Sequence, residues 1–237
     1  MRYTPENITK LVVQHFTQMT YPQPLAGKKV VVSAGPTREL VDPVRYLTNF
    51  STGKMGYAMA EAARDLGAQV VLVSGPTSLP KPSGMRVVDV VSAQNMFDAI
   101  MAEYDTADIV IKTAAVADYR PKNMHGQKMK KQPGDAVLEL ERTTDILATL
   151  GEQKTHQLLI GFAAETNDVV NYGTQKLTRK NADYIIANDV TEEGSGFGTD
   201  TNSVVLISKT GTEPFKQLPK KELALKLLQT IAQKEGL

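Results

Sequence analysis

The stretch KKVVVSAGPTRELVDPVRYLTNFSTGKMG, residues 28–56, decides how the rest of the chain is read. Its apolar run Val30, Val31, Val32 passes straight into the small-residue turn Ser33-Ala34-Gly35-Pro36, the way a buried parallel strand hands the chain to a ligand-facing loop. In a second loop Asn49, Ser51, Thr52, Gly53 and Lys54 set amide, hydroxyl, bare backbone and ammonium groups ahead of the apolar-periodic segment 55–66. Backbone N–H groups at a helix start lack intrahelical partners and favour a phosphate or carboxylate. Neither loop follows an established phosphate pattern, since there is no GxGxxG and GPTRELVD is not GxxxxGK[ST]. Pattern alone leaves both an anion site and an ordinary strand-turn-helix connection open.

Outward from this stretch, short apolar strands alternate with longer amphipathic helices. The patterning predicts strands at 29–33, 69–73, 85–90, 108–111, 158–161 and 184–187, and helices at about 54–66, 92–104, 146–153, 169–181 and 221–233. Residues 203–208 and the turn at 209–213 read as late antiparallel edges. The expected class is α/β: an open, Rossmann-like, mainly parallel sheet with flanking helices and a small antiparallel or dimerisation element. Ligands of such sheets sit beyond the carboxyl ends of the strands. Residues 1–26 read as a linker-like segment, with a helix carrying Ile8, Leu11, Val12 and Phe16 that ends at Tyr21-Pro22-Gln23-Pro24, and residues 27–237 as the main domain. The basic, turn-rich run RPKNMHGQKMKKQPG at 120–134 breaks the rhythm and reads as a mobile lid, followed by a short strand at 137–140.

Composition narrows the function. The chain has 237 residues, a net charge of +1, no cysteine and three histidines. That excludes disulfides, thiolate nucleophiles and thiolate metal sites, and gives no bulk attraction to nucleic acid. His15, His125 and His156 lie far apart and in no HExxH spacing, and no segment has the apolar length of a membrane span. A cytoplasmic location is expected.

Each candidate residue has a bland alternative beside its functional reading. Gly35 and Pro36 could only shape a turn, and Arg38 and Arg45 could be surface charges, although guanidinium forks suit carboxylates and phosphates. Asp118, after a strand and a small-residue turn, suits a magnesium carboxylate or a turn cap. Lys128, Lys130 and Lys131 form a cluster without acids, which either solvent or an anion must absorb. Lys176 and Lys180 are four apart on one helix face and Phe162 could be core. Together these residues point to a polyphosphate ligand with magnesium, with ligase, transferase and dehydrogenase chemistry all open.

Five ordered motifs narrow this further: AGPTRELVDPVRYLTNFSTGKMG at 34–56, AAVADYRP at 114–121, KMKK at 128–131, GFAAET at 161–166 and KLTRKNADYIIANDV at 176–190. Together they closely resemble the phosphopantothenate–cysteine ligase family, over about residues 27–233. The resemblance implies a CTP- and magnesium-dependent ligase of coenzyme A biosynthesis. The carboxylate of 4'-phosphopantothenate displaces pyrophosphate from CTP, and the amine of L-cysteine then displaces CMP from the acyl cytidylate. It implies catalytic roles for Asn49 at the acyl cytidylate and for Lys128 over the triphosphate. It implies nucleotide contacts by Gly35, Ser51, Gly53, Ala114, Ala115, Asp118, Phe162, Lys176 and Lys180, and by Thr144, Asp145, Ile146 and Leu147, where TTDI replaces the usual NPDI. Arg45 and Lys54 are the implied holders of phosphopantothenate. A homodimer with shared sites is expected, as is a link, in the same or a parent polypeptide, to a flavin-dependent decarboxylase whose FMN is not expected on this chain. The alternatives weighed are a nicotinamide or flavin oxidoreductase on the same sheet and a non-catalytic partner-binding domain.

Overall fold

The structure, a computed structural model, describes residues 4, 5, 8, 9, 12, 16 and 21–237 apart from 132 and 193. Within the expected leading helix Pro5, Ile8, Thr9, Val12 and Phe16 are helical, whereas Leu11 lies outside the described residues. The main body is an eight-stranded sheet in the order β12-β11-β10-β9-β6-β1-β4-β5. Its strands are β1 (Lys29–Ala34), β4 (Gln69–Ser74), β5 (Arg86–Asp89), β6 (Ile109–Lys112), β9 (Leu158–Glu165), β10 (Tyr184–Asp189), β11 (Thr201–Ser208) and β12 (Gly211–Pro219). All pair in parallel from β5 to β10, and the antiparallel β11 and β12 close the far edge.

β1 is central because Val30, Val31 and Val32 are all fully buried, and removing each side chain from water contributes roughly 1.5–3 kcal/mol. Alternation then splits the core into two layers. Val30 and Val32 pack with Met59, Leu66, Leu227 and Ile231 of α1 (Lys54–Asp65) and α5 (Lys220–Glu235) and the chain just beyond α1. Val31 faces the opposite layer with Met96, Ile100, Leu150 and Leu177, from α2 (Ala93–Tyr104), α3 (Ile146–Glu152) and α4 (Val169–Arg179). Ser92 starts α2 with a reciprocal capping box, accepting from Asn95 N–H at 3.1 Å.

From β1 the chain moves one way to β4 and β5, and from β6 the other way to β9 and β10. The reversal therefore falls between β1 and β6, and the crevice beyond their carboxyl ends is where a ligand site is expected. The two turns are stitched there: Ala115 N–H donates to Gly35 O at 3.0 Å and Thr37 N–H to Ala115 O at 3.3 Å.

Two small hairpins complete the fold, of which β2, β3 and β7 were not expected as strands. β2 (Arg38–Leu40) pairs with β3 (Tyr46–Thr48), and β7 (Tyr119–Pro121) with β8 (Leu140–Arg142). Three-residue ladders are too short to show an alternating pattern. The strand expected at 137–140 is displaced, because the ladder begins only at Leu140.

Candidate active site

The crevice is a cavity of about 630 Å³. Its floor is the turn after β6, held by Thr37 Oγ1, which accepts from Ala117 N–H at 3.0 Å, and by Asn49, whose Nδ2 donates to Ala115 O at 3.1 Å and Val116 O at 3.3 Å. Asn49 thus fixes the second loop of the opening stretch against the reversal point. Gly53 follows at φ 83° as the residue before α1, and no side chain caps that helix. Only glycine adopts this left-handed conformation at little cost, and the bare helix start leaves N–H groups for an anion.

Cations crowd two sides. On one, Lys112, Lys176, Arg179 and Lys180 line the cavity together with the carboxylates Asp118 and Asp145. Lys112 Nζ donates to Ala114 O at 3.0 Å and Lys176 Nζ to Phe162 O at 2.8 Å. Asp145 caps α3 through Ala148 N–H at 3.0 Å and also accepts from Lys180. Burial alone would raise the Asp145 carboxyl, but Lys180 and the helix N–H outweigh it and the net shift is downward. On the other side, Lys54 Nζ donates to Gly198 O at 2.8 Å and pairs with Asp200 at 2.7 Å, and Lys220, 5% exposed, donates to Gly196 O at 2.7 Å and Thr199 O at 2.6 Å. These lysines hold the loop between β10 and β11, which carries Gly196 and Gly198, as a wall.

Two polar atoms at the cavity lining are buried without a hydrogen-bond partner among the described residues, Thr113 Oγ1 and Asn202 Oδ1. Such orphans are uncommon.

Burial, with a smaller contribution from Lys176, pushes the Lys112 ammonium down to about 7, and burial lowers Lys176 as well. Burial followed by Lys54 brings Lys220 down to about 8. The unfolded chain keeps the Lys112 proton up to 10.5 and the folded chain only up to about 7. Between those values the unfolded state binds more protons, so this lysine makes stability rise with pH, and below about 7 its full cost remains. Lys112→Met is expected to stabilise the ligand-free protein near pH 6 by on the order of 1 kcal/mol, reduced for partial exposure, and to flatten the rise toward pH 9. Thermal melts at both pH values check this. Equal shifts at the two would mean that water reaches the ammonium.

Gly35, Asn49, Ser51, Gly53, Lys54, Ala114, Ala115, Asp118, Thr144, Asp145, Ile146, Leu147, Phe162, Lys176 and Lys180 all line this cavity. Arg45 and Lys128 do not. Arg45 is committed to Asp42 and to Met129 O at 3.2 Å, and Lys128 lies exposed on the loop after β7. Lys54, an expected holder of phosphopantothenate, lines the cavity with its ammonium paired with Asp200. Sequence reading missed Lys112, Arg179, Lys220, Thr113 and Asn202. Lys112 had a legible signal, a lysine at the tip of the buried strand Ile109–Lys112. Lys220 in PKKEL looks like an ordinary exposed helix start.

A family model described as DNA/pantothenate metabolism flavoprotein C-terminal domain matches residues 25–234. The chain belongs to this family. Among relatives of this flavoprotein C-terminal domain, the coenzyme A biosynthesis bifunctional protein CoaBC of Bacillus subtilis (strain 168) is 54% identical over 232 residues, covering 96% of this chain and 56% of the relative. The protein of the same name from Escherichia coli (strain K12) is 43% identical over 228 residues, covering 94% and 55%. The chain therefore spans a little over half the length of these relatives. A crystal structure of the C-terminal domain of such a CoaBC protein superposes with a TM-score of 0.78 at 50% identity, covering 90% of this chain and 98% of that one. The mainly parallel Rossmann-like architecture is thus shared with a solved member of the flavoprotein C-terminal domain family.

Proposed function

We propose that this chain is a phosphopantothenate–cysteine ligase of coenzyme A biosynthesis that uses CTP and passes through a 4'-phosphopantothenoyl-CMP intermediate. The observation that carries the reading is the charge of the crevice at the β1/β6 reversal, where Lys112, Lys176, Arg179 and Lys180 face two carboxylates, one already paired with Lys180. Such a site is preorganised for a polyanion before any ligand arrives. Among the described residues the lining includes no histidine, and the chain has no cysteine, which suits a reaction whose nucleophiles belong to the substrates, carboxylate first and amine second. In the first step the acid's carboxylate forms a bond to the α-phosphorus and pyrophosphate leaves. In the second the cysteine amine bonds to the acyl carbon and CMP leaves. Asn49 stands at the turn where that acyl group would lie, and the backbone of residues 114–118 offers donors and acceptors for cytosine. Lys128 would come to the triphosphate from the loop.

Magnesium bound to a triphosphate needs only one or two protein carboxylates and shields phosphate charge. Asp118, exposed at the cavity and accepting no side-chain hydrogen bond from described residues, fits that need. No group of three or more His, Cys, Asp or Glu converges as a metal cage among the described residues.

The reading extends to a homodimer. Leu40, Tyr46 and Phe50 on and beside the β2–β3 hairpin, and Tyr119, Val137 and Leu140 on and beside β7–β8, are exposed, Phe50 to 96%. Apolar surface on short open-edged ladders suits pairing with a second copy. A flavin-bearing decarboxylase domain, in the same or another polypeptide, would act on the product, and all of these steps would take place in the cytoplasm. The test is incubation with 4'-phosphopantothenate, cysteine, CTP and magnesium alongside sedimentation. CMP and pyrophosphate in equal amounts from a dimer are expected. Folded protein that forms neither rejects the ligase reading, and full turnover by a monomer rejects the pairing.

A further inference from the structure

The loop that carries Lys128 is pinned at its middle by a buried carboxylate outside the cavity. Asp42 is fully buried in the turn between β2 and β3. It accepts from Val44 N–H and Arg45 N–H, each at 2.9 Å, from Arg45 Nε at 3.0 Å and Arg45 Nη2, and from Met129 N–H at 3.1 Å. The same Arg45 Nη2 donates to Met129 O at 3.2 Å. Asp42 and the guanidinium it aligns thus hold both the N–H and the C=O of one peptide residue, as a strand partner would, with no strand present. A further bond, His125 N–H to Val41 O at 3.0 Å, lies four residues earlier.

The rest of the loop has little else to hold it. Its stem closes at Lys122 N–H to Glu139 O, 3.0 Å, and between these ends Met129 is half-buried while Lys128 and Lys130 on either side of it are exposed. Lys128 makes no ion pair among the described residues. Ordering a connection of this length costs conformational entropy at every residue, and a two-point grip at the midpoint divides that cost between two shorter spans.

We propose that Asp42 and Arg45 are positioning residues for Lys128: they clamp the Met129 peptide and so set where the neighbouring ammonium is presented. The role given to Lys128 rests on the ligase reading, whereas the clamp itself does not. Arg45, followed by backbone N–H groups, holds the Asp42 carboxyl far below the usual carboxylate range, so the clamp stays charged throughout neutral and mildly acidic pH. Arg45 on this view serves the loop through Asp42.

Limited trypsin digestion separates the clamp from the chemistry. Cleavage after Lys130 requires the loop to open locally, and its rate follows the open population. In the 237-residue chain Asp42→Asn is expected to speed cleavage there by about tenfold or more, because hydrogen bonds to a buried carboxylate are among the stronger ones. Met129→Pro removes the clamped N–H together with the methionine side chain and fixes the local φ, keeps Lys128, Asp42 and Arg45, and is expected to act in the same direction if Asp42→Asn fails to fold. Cleavage after Lys209, in the distant β11–β12 turn, should stay at the wild-type rate. Lys128→Gln should leave cleavage after Lys130 unchanged while slowing pyrophosphate release. Met129→Pro with wild-type cleavage after Lys130, or with an equal rise at Lys209, overturns the clamp. Wild-type protein that makes no CMP overturns the ligase reading and leaves the digestion result standing.

Discussion

Asn49→Asp is expected to lower turnover by on the order of a hundred- to a thousandfold, the size of effect seen when a preorganised donor at a reacting centre is removed. In the folded protein the Asn49 amide donates to Ala115 O and Val116 O, at 3.1 and 3.3 Å. Aspartate cannot donate when ionised, so the change replaces two hydrogen bonds by a carboxylate facing two carbonyl oxygens. It also introduces negative charge where Lys112, Lys176, Arg179 and Lys180 are arrayed for an anionic ligand. The loss should fall on the second step, so that pyrophosphate is still released once and acyl cytidylate builds up in rapid-quench samples. Asn49→Ala removes the donor without adding charge and should cost less than aspartate. Turnover within about threefold of wild type, or a variant that never releases pyrophosphate, would remove Asn49 from the second step.

The second large effect concerns stability. Gly75→Ala is expected to destabilise the fold by about 3 kcal/mol or more, lowering the melting temperature by roughly 10 °C for a chain of this size. Gly75 follows β4 and donates its N–H to Ala34 O at 2.9 Å. A methyl group there would lie 1.9 Å from Pro36 O, and a Cβ on Gly35 would meet Gly75 O at 3.1 Å. The two strand-end turns therefore touch backbone to backbone, and neither can retreat without pulling on β1 or β4. Gly126→Ala is the control, since a Cβ on Gly126 meets nothing within 4 Å. Urea unfolding of both variants decides the matter. A Gly75→Ala midpoint equal to that of Gly126→Ala would show that the turns can separate freely.

The sheet was legible wherever a fully buried strand met a small-residue turn. VVV before SAGP and VVLV before SGPT read correctly because burial on both faces enforces a continuous apolar run, and the amphipathic helices followed from their own period. β9 runs on to Glu165, past its expected end at 161, because its later residues pair with β10. β12 was seen only as a turn, since Gly211–Pro219 alternates polar groups on an exposed edge. At the crevice, the loop residues that line the cavity were legible from chemistry and from the resemblance. Arg45 stands outside the cavity lining because Asp42, hidden in a tight turn, holds its guanidinium, which a position four residues before Asn49 does not reveal. Lys220 was missed because only the fold brings the first residue of the last helix back to the first helix start.

The cavity draws on residues from Gly35 to Lys220, nearly the whole length of the chain. Its walls meet only when the last strands have joined the sheet, so no early fragment of the polypeptide owns a working half of it. Contacts this far apart in sequence form late and slowly. A nucleotide added to refolding protein should therefore leave the folding rate untouched and slow unfolding instead, acting as a lock on the finished sheet, not as a template for it.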